Sequence, residues 1–452
     1  MYKTTVISVF AALFLLSGCG DDDSNAIPNY TNKVPVEGSA LPYTVLDATV
    51  ANGAISGTTM EIRNGGFGSA AFKDPHHPSR FYALTDRGPN ADYTNAEGTK
   101  GKMFPVPSYV PRVGHFEIKA DGSIEKIAEI LLKDTAGNTI SGLPNPVGLG
   151  GTKEIPFDKN GEIIADGLDE FGLDGEGLVV LKDGSFWVSD EYGPHMVHFD
   201  KNGKEIGRIN PFTEDARTSI NLPAEFANRW ANRGMEGLAI TPDEKTLVGI
   251  MQSSLDNPKT RKDLTRIVSI NLETKETKQY LYKQDGNGNS NSEIVALDND
   301  TFLVIERDGK FYQKDATAMK KIYKIKLSTG TDLEKVSLQT GMVQDQNLGL
   351  LINEKTLETI SGEENSWEFL ASKGIVPVEK TLTVDMIAEV GYPHDKMEGL
   401  VVFDEHTLGV INDDDFATWV TDSVLEQKYL DNTQSKEDGN TLYVIKELNL
   451  LN

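Results

Sequence analysis

Cysteine and basic residues are both scarce in this chain. Cys19 is the single cysteine in 452 residues, so a disulfide framework is impossible, and thiol catalysis or a zinc site built on thiolates lacks the residues it needs. The 44 Lys and Arg residues stand against 69 Asp and Glu residues, which gives a formal net charge of −25. Nucleic acid binding requires a basic surface, so this composition argues against nucleic acid as a partner.

Long apolar runs are also missing. The apolar run at residues 6–16 follows Lys3, is too short for a permanent membrane helix and fits the core of a signal peptide. It leads into Leu16-Ser17-Gly18-Cys19, which resembles the bacterial lipobox, in which the cysteine is acylated. We therefore predict a signal peptide at residues 1–19, lipidation at Cys19 and an acidic tether at residues 20–42. The lipid is the expected membrane contact and places the protein in the cell envelope, at the periplasmic face or the outer membrane. A signal peptide that merely ends near a cysteine is the alternative.

Common catalytic fingerprints are absent too. The sequence contains no Gly-x-Ser-x-Gly elbow, no Walker loop, no Gly-x-Gly-x-x-Gly fingerprint and no His-Glu-x-x-His pair. A serine esterase would therefore have no visible nucleophile.

The chain contains instead a repeated unit: a glutamate, a short apolar strand, an acidic turn, a second apolar strand and then polar residues. Copies begin at Glu176, Glu236, Glu293 and Glu398, and a degenerate copy has Phe67 where the others have glutamate. More alternating strands follow each copy, so one unit holds about four antiparallel strands, buried first and exposed last. This pattern is typical of a β-propeller blade, whose first strand lines a central channel.

We predict an all-β propeller over residues 43–452, with five blades counted and six left open. The 105 residues that separate Glu293 from Glu398 must hold either an insertion or a blade without a glutamate. We expect loop insertions near residues 90–111, over one face of the ring, and near residues 344–380. Ring closure requires the termini to meet, so we expect residues 43–50 and 441–445 to share the last blade.

Two sets of carboxylates are expected at one end of the channel, because a hairpin brings its start and its finish together. The candidate metal ligands are Glu176, Glu236, Glu293, Glu398, Asp190 and Asp413. So many carboxylates repel one another unless cations neutralise them, and irregular clusters of oxygen ligands suit Ca²⁺. The alternative for each glutamate is a structural role, in which it accepts backbone N–H groups of the neighbouring blade and the glycine after it permits a close approach.

Basic residues occur in the same loops. Arg87, Arg233 and Lys396 are candidates for binding substrate phosphate, since arginine suits bidentate recognition of phosphate, although each can also balance a neighbouring acid. For Arg307, next to Glu306, charge balance is the favoured interpretation. His195 is either a proton donor to a leaving group or a structural loop histidine.

Several motifs, in this order, together resemble the phytase-like family, whose members are described as having esterase-like activity of phytase. The resemblance extends from about residue 44 to the C-terminus, and it implies a secreted propeller related to alkaline phytases, which use Ca²⁺ to bind and cleave phosphomonoesters. The motifs are Asp86-Arg87-Gly88-Pro89-Asn90, Glu176-Gly177-Leu178, Ser189-Asp190-Glu191-Tyr192-Gly193, Asn232-Arg233-Gly234-Met235-Glu236-Gly237-Leu238 and Lys396-Met397-Glu398-Gly399-Leu400.

We therefore expect a lipid-anchored, monomeric hydrolase that cleaves small phosphomonoesters or related esters with metal-activated water. Glu191 is the expected acceptor of the water proton, and Glu236 and His195 are the other catalytic candidates. Two alternatives remain open: a Ca²⁺-dependent lactonase, and a binding module without catalysis in which the metal is structural.

Overall fold

Five sheets of four or five strands follow one another in the computed structural model, which describes residues 27–451. The innermost strand of each sheet contacts the innermost strand of the next, and the fifth sheet contacts the first. The described residues thus form a closed ring of five blades around a channel, and the predicted β-propeller is confirmed.

The blades are numbered along the chain, and their strands are given from the channel outward. Blade 1 consists of Ala70–Lys73, Arg80–Leu84, Arg112–Ile118 and Ile124–Leu131. Blade 2 consists of Gly175–Val180, Phe186–Asp190, His195–Phe199, Glu205–Asn210 and Thr218–Asn221. Blade 3 consists of Met235–Ile240, Thr246–Met251, Leu264–Asn271 and Thr277–Lys283. Blade 4 consists of Ser290–Ala296, Thr301–Arg307, Lys320–Lys326 and Glu379–Asp385. Blade 5 consists of Gly399–Asp404, Thr407–Ile411, Thr441–Ile445 and Ser39–Ala40.

Burial decreases from the channel outward. The inner strands Gly175–Val180 and Met235–Ile240 are buried at every residue, whereas the outer strand Ile124–Leu131 is exposed or half-buried throughout. The apolar cores lie between adjacent blades, as where Val179 of blade 2 packs with Leu238 of blade 3. Because the inner strands are covered on both faces, their sequences are continuous apolar runs.

A short N-terminal strand closes the ring. Ser39–Ala40 pairs with Thr441–Ile445 as the outermost strand of blade 5. The prediction that residues 43–50 make this pairing was wrong, because Thr44–Ala51 pairs with Thr59–Asn64 in a separate hairpin. A two-residue strand carries almost no local β signal, whereas the longer strand beside it does.

Insertions between blade strands build the remaining structure. Blade 4 has one between its third and fourth strands, so the long gap after Glu293 holds an insertion and not a sixth blade. This insertion contains Met342–Asp345, Gly349–Ile352, Lys355–Thr356 and the helices Leu357–Ser361 and Ser366–Ser372. The hairpins elsewhere are Ala91–Thr94 with Lys100–Met103, joined by Pro156–Phe157, and Thr418–Thr421 with Val424–Gln427. The helix Met386–Val390 connects blades 4 and 5, and 3-10 turns occur at Thr31–Lys33, Val147–Leu149, Ala224–Asn228, Leu327–Thr329, Leu333–Lys335 and Asp415–Ala417.

Within the described residues, no helix has the length and apolar character needed to cross a membrane. Cys19 and the predicted signal peptide lie outside the described residues.

Candidate functional site

A polar cavity of about 380 Å³ lies where channel residues meet the hairpins at residues 91–103 and 418–427. Both signs of charge are present in its lining, which distinguishes it from the mostly apolar pockets that bind uncharged ligands. The ionisable lining residues are Asp86, Asp92, Asp174, Glu176, Glu191, Asp395, Asp415, Arg87, Lys102, Arg307 and Lys396.

β-Bulges position two of the predicted glutamates. In blade 2 the pairing of the first two strands skips Glu176, between Gly175 and Gly177, and in blade 3 the pairing skips Glu236 in the same way. A bulge leaves one residue unpaired and redirects its side chain, and such features are frequent beside active sites. The repeated glutamate is therefore the bulged residue in these two blades.

The residue after each of these glutamates has to be glycine, because the neighbouring blade leaves no room for a side chain. A Cβ atom on Gly177 would lie 2.7 Å from the backbone nitrogen of Leu238, and one on Gly237 would lie 2.5 Å from that of Ile294. Both distances are shorter than normal contacts, so a side chain at either position would push two blades apart.

Blade 4 departs from this pattern by one residue. Its bulge falls on Ser292, so Glu293 occupies the position that glycine has in blades 2 and 3. Oε1 of Glu293 accepts the backbone N–H of Leu238 at 3.0 Å and that of Ile294 at 2.9 Å. Glu293 is thus a buried clasp between blades 3 and 4 and is not among the cavity-lining residues.

Asp174, Glu176 and Glu191 form a buried carboxylate cluster in blade 2. One oxygen atom of each lies within 4.8 Å of the others. Oδ2 of Asp174 is buried without a hydrogen bond, and its cationic neighbour is Nε of Arg87 at 3.2 Å. Three oxygen ligands this close together suit a hard cation such as Ca²⁺.

Burial disfavours negative charge throughout this cluster. It raises the pKa of Glu191 to about 8, with a further contribution from the charge of Asp174. Burial and then the charges of Glu236 and Glu398 raise the pKa of Glu176 well above its usual range. The pKa of Glu236 is also raised well above its usual range, first by burial and then by the charge of Glu191. Without a cation, these groups therefore carry less charge at neutral pH than their number suggests, and a bound cation would reverse this.

Gln252 connects Glu191 to Glu236. Its Nε2 donates to Oε1 of Glu191 at 2.7 Å and reaches both carboxylate oxygens of Glu236 at 3.1 Å. Its Oε1 accepts a hydrogen bond from Nη1 of Arg233 at 3.0 Å. Gln252 follows the second strand of blade 3, just as Glu191 follows the second strand of blade 2. An amide therefore lies between Glu191 and Glu236, where a third carboxylate would repel both.

Arg307 and Lys396 bring positive charge into the cavity from the side of blades 4 and 5. Arg307 of blade 4 is ion-paired with Glu398. Nζ of Lys396, just before blade 5, lies 2.6 Å from Asp413 and 2.7 Å from Asp415. Burial opposes the charge of Lys396, but these two carboxylates outweigh it and raise the pKa of Lys396 well above its ordinary value. Both cations therefore remain charged at neutral pH.

The turn that carries Asp415 has an uncommon backbone. Asp415, Phe416 and Ala417 have φ values of 48°, 57° and 56°, although none is glycine. Such conformations each cost about 1–3 kcal/mol and persist where the surrounding contacts enforce them, often at functional sites. Here the turn brings the Asp415 carboxylate to Lys396 and to Lys428, 2.6 Å away.

The two predicted phosphate-binding arginines are engaged by the protein. Nε of Arg87 lies 3.2 Å from Asp174, and its Nη1 lies 3.2 Å from Glu154. Arg87 lines the cavity, whereas Arg233 contacts Gln252 and is not in the lining. Both arginines therefore support the carboxylate network of blades 2 and 3.

Asp190 and His195 are buried and are not among the cavity-lining residues. Asp190 accepts the backbone N–H groups of Asp174 at 2.8 Å and Gly193 at 2.7 Å, and burial raises its pKa to about 7. Nε2 of His195 is 3.1 Å from the carbonyl oxygen of Leu149 and 4.0 Å from Asp190. Burial, followed by nearby arginines, lowers the pKa of His195 well below its usual value, so the ring is neutral at pH 7.

Asp174 and Arg307 line the cavity and are among the residues that were not predicted from the sequence as site residues. Asp174 stands two positions before Glu176 in the segment Asp-Gly-Glu-Gly. This closeness to a predicted metal ligand was the sequence signal that could have identified it. Arg307 was assigned to charge balance with Glu306, but the carboxylate of Glu306 instead contacts Nζ of Lys380 at 2.7 Å. The ion pair of Arg307 crosses from one blade to another, which a sequence neighbour cannot reveal.

A family model described as Phytase-like, esterase-like activity of phytase, matches residues 62–416. A relative among curated proteins, an uncharacterized secreted protein of Arthroderma benhamiae, is 28% identical over 315 residues, which are 54% of this chain and 59% of the relative.

Among solved structures, PorZ, a bacterial surface component of the type-IX secretion system of Porphyromonas gingivalis, matches with 12% identity and a TM-score of 0.32, over 77% of this chain and 39% of that chain. The PQQ-bound form of aldose sugar dehydrogenase from Streptomyces coelicolor matches with 9% identity and a TM-score of 0.31, over 91% of this chain and 99% of that chain.

Proposed function

The chain belongs to the Phytase-like family, and on this premise we propose that it is a metal-dependent hydrolase of small phosphomonoesters or related esters. One observation carries the proposal. A carboxylate cluster that can hold a cation shares a single cavity with the cationic side chains of Arg307 and Lys396, which can hold an anion. This combination is what a phosphoester site requires in a protein whose net charge would otherwise repel an anionic substrate.

Asp174, Glu176 and Glu191 are the residues that would hold the metal ion. Their ligands are all oxygen atoms, which favours Ca²⁺, and the buried Oδ2 of Asp174, without a hydrogen bond, supports the fit. When bound, Ca²⁺ supplies positive charge that attracts substrate oxygens and lowers the pKa of water.

The side chains around the cluster have distinct proposed roles. Arg307 and Lys396 would hold the phosphoryl oxygens and stabilise the negative charge of the transition state. Glu236 lies outside the cavity lining and is the proposed proton acceptor, because Gln252 hydrogen-bonds both it and Glu191, which lines the cavity. A carboxylate whose pKa is raised by burial is suited to general base catalysis near neutral pH.

The test uses purified protein that is stripped with a chelator and assayed on p-nitrophenyl phosphate and phytate while Ca²⁺ is added back. We expect phosphate release to follow the Ca²⁺ concentration and to be lost in Glu191→Gln and in Glu236→Gln. Glu293→Gln is the matched control, because it makes the same chemical change at a carboxylate that accepts two backbone N–H groups between blades, and it should retain phosphate release.

Two outcomes would contradict the proposal. A Ca²⁺-dependent rise in Tm without phosphate release would make the ion structural and would favour a binding module. Hydrolysis of sugar lactones without hydrolysis of phosphomonoesters would favour a lactonase.

We also propose that the protein is exported and acts as a monomer in the cell envelope, held to the membrane by a lipid on Cys19. Similarity to a secreted protein supports the export. Cys19→Ser should move the protein from the membrane fraction to the soluble fraction. If this variant stays with the membrane, the lipid is not the anchor.

A further inference from the structure

Trp419 is an exposed aromatic side chain in the wall of the cavity. It lies on the strand Thr418–Thr421, and 39% of its surface is exposed. Its ring packs edge-on against Phe311, with the centroids 5.9 Å apart. The tryptophan at position 187, by contrast, is buried and stacks on His198. Nζ of Lys428 also lies 5.7 Å from the centroid of the Trp419 ring, so Phe311 and Lys428 contact part of it, and the exposed 39% is available to a ligand.

Polar side chains from the other hairpin, and from the residue just before it, line the same cavity as this ring. They are Asn90, Asp92 and Lys102, and Nζ of Lys102 is 2.8 Å from Asp92. The backbone N–H of Thr94 donates to Oγ of Ser423 at 3.0 Å, so the two hairpins are joined. This bond joins the hairpin that carries Trp419 to the hairpin that carries Asp92 and Lys102.

We infer that Trp419 binds a hydroxylated ring, of the size of a pyranose, in the part of the substrate that carries the ester. This inference rests on the proposed function. A sugar ring has an apolar face that packs on an aromatic side chain, and its hydroxyl groups need hydrogen-bond partners around that face. Asn90, Asp92 and Lys102 supply those partners, whereas an acyl chain in this place would desolvate them without replacing their hydrogen bonds.

Glucose 6-phosphate and glycerol 3-phosphate test the inference, because both carry a phosphomonoester on a primary hydroxyl and only the first contains a ring. Binding of each to the Ca²⁺-loaded protein is measured by calorimetry. We expect glucose 6-phosphate to bind about tenfold more tightly, in keeping with the strength of stacking on an aromatic side chain. Trp419→Ala should abolish the preference, and Trp419→Phe, which keeps a ring, should retain part of it.

Equal affinity for the two compounds, binding of neither, or an unchanged preference in Trp419→Ala would overturn the inference. Phosphate release is measured separately on the same two compounds. Release without any ring preference would leave the proposed hydrolase standing and remove the ring-binding role of Trp419. A ring preference in binding without phosphate release would keep that role and contradict the hydrolase.

Discussion

The backbone N–H of Leu238 donates to Oε1 of Glu293 at 3.0 Å, across the boundary between blades 3 and 4. Glu293 also accepts the N–H of Ile294, so its carboxylate is committed to holding two blades together. Glu176, in the corresponding repeat of blade 2, lies in the carboxylate cluster of the cavity instead. The same residue type therefore has two roles in one ring, and the position of the bulge decides between them.

Ca²⁺ affinity should separate these roles. Glu191→Gln removes one charged ligand from the cluster, so we expect a loss of at least about tenfold in Ca²⁺ affinity, measured by isothermal titration calorimetry. Glu293→Gln makes the same change at the clasp and should bind Ca²⁺ as the wild type does. Equal affinities for the two variants would show that the cluster of Asp174, Glu176 and Glu191 is not the metal site.

The close contact between blades predicts a second pair of variants. Gly237→Ala places a Cβ 2.5 Å from the backbone nitrogen of Ile294, so blades 3 and 4 must separate, and we expect a loss of about 2 kcal/mol or more in the free energy of unfolding. Gly288→Ala introduces the same methyl group where no atom lies within 4 Å and should change stability by less than about 0.5 kcal/mol. Denaturant unfolding measures both, and a Gly237→Ala variant as stable as Gly288→Ala would contradict the packing.

The propeller was predictable because its inner strands are buried on both faces and therefore repeat as apolar runs, as in Gly175–Val180. The role of Glu293 was not predictable, because it depends on which residue the strand pairing leaves out at the bulge. A shift of one residue turns a side chain to the other face of the sheet. Ring closure by Ser39–Ala40 was missed because two residues carry almost no local signal.

Long-range pairing explains what was missed at the site itself. Asp174 contacts Arg87, which is 87 positions away along the chain, and Arg307 pairs with Glu398, 91 positions away. These contacts join different blades, so sequence spacing does not reveal them. The sequence therefore predicted which residue types meet at the channel, and the blade pairing decides which of them face the cavity.

The stability of the metal-free protein should fall as pH rises from about 4, the ordinary pKa of a carboxyl group, to about 8. Burial raises the pKa of Asp190, Glu398 and Asp414 to about 7 and that of Glu191 to about 8. A carboxyl group whose pKa is higher in the folded state stabilises the fold below its ordinary pKa, and that contribution is lost as pH rises through the raised value. The Tm in the presence of a chelator, recorded across this range, checks the prediction.

Two controls accompany this measurement. Asp414→Asn removes one of the titrating groups and should flatten the fall in Tm, and added Ca²⁺ should reduce the fall because it stabilises the deprotonated cluster. A Tm that stays level or rises with pH in the presence of the chelator would contradict the burial of these carboxyl groups.

Arg307 should bind the anionic part of the substrate. Arg307→Lys keeps a positive charge near Glu398 but loses the planar fork that contacts two oxygen atoms at once, so we expect kcat/KM on a phosphomonoester to fall by roughly 100-fold. Arg266→Lys is the matched control, because Arg266 is a buried arginine paired with Glu358 at 2.7 Å and lies outside the cavity lining. That variant should lose stability and keep its turnover. If the two variants keep the same kcat/KM, Arg307 serves only to balance Glu398, and Lys396 is left as the cation that holds the substrate.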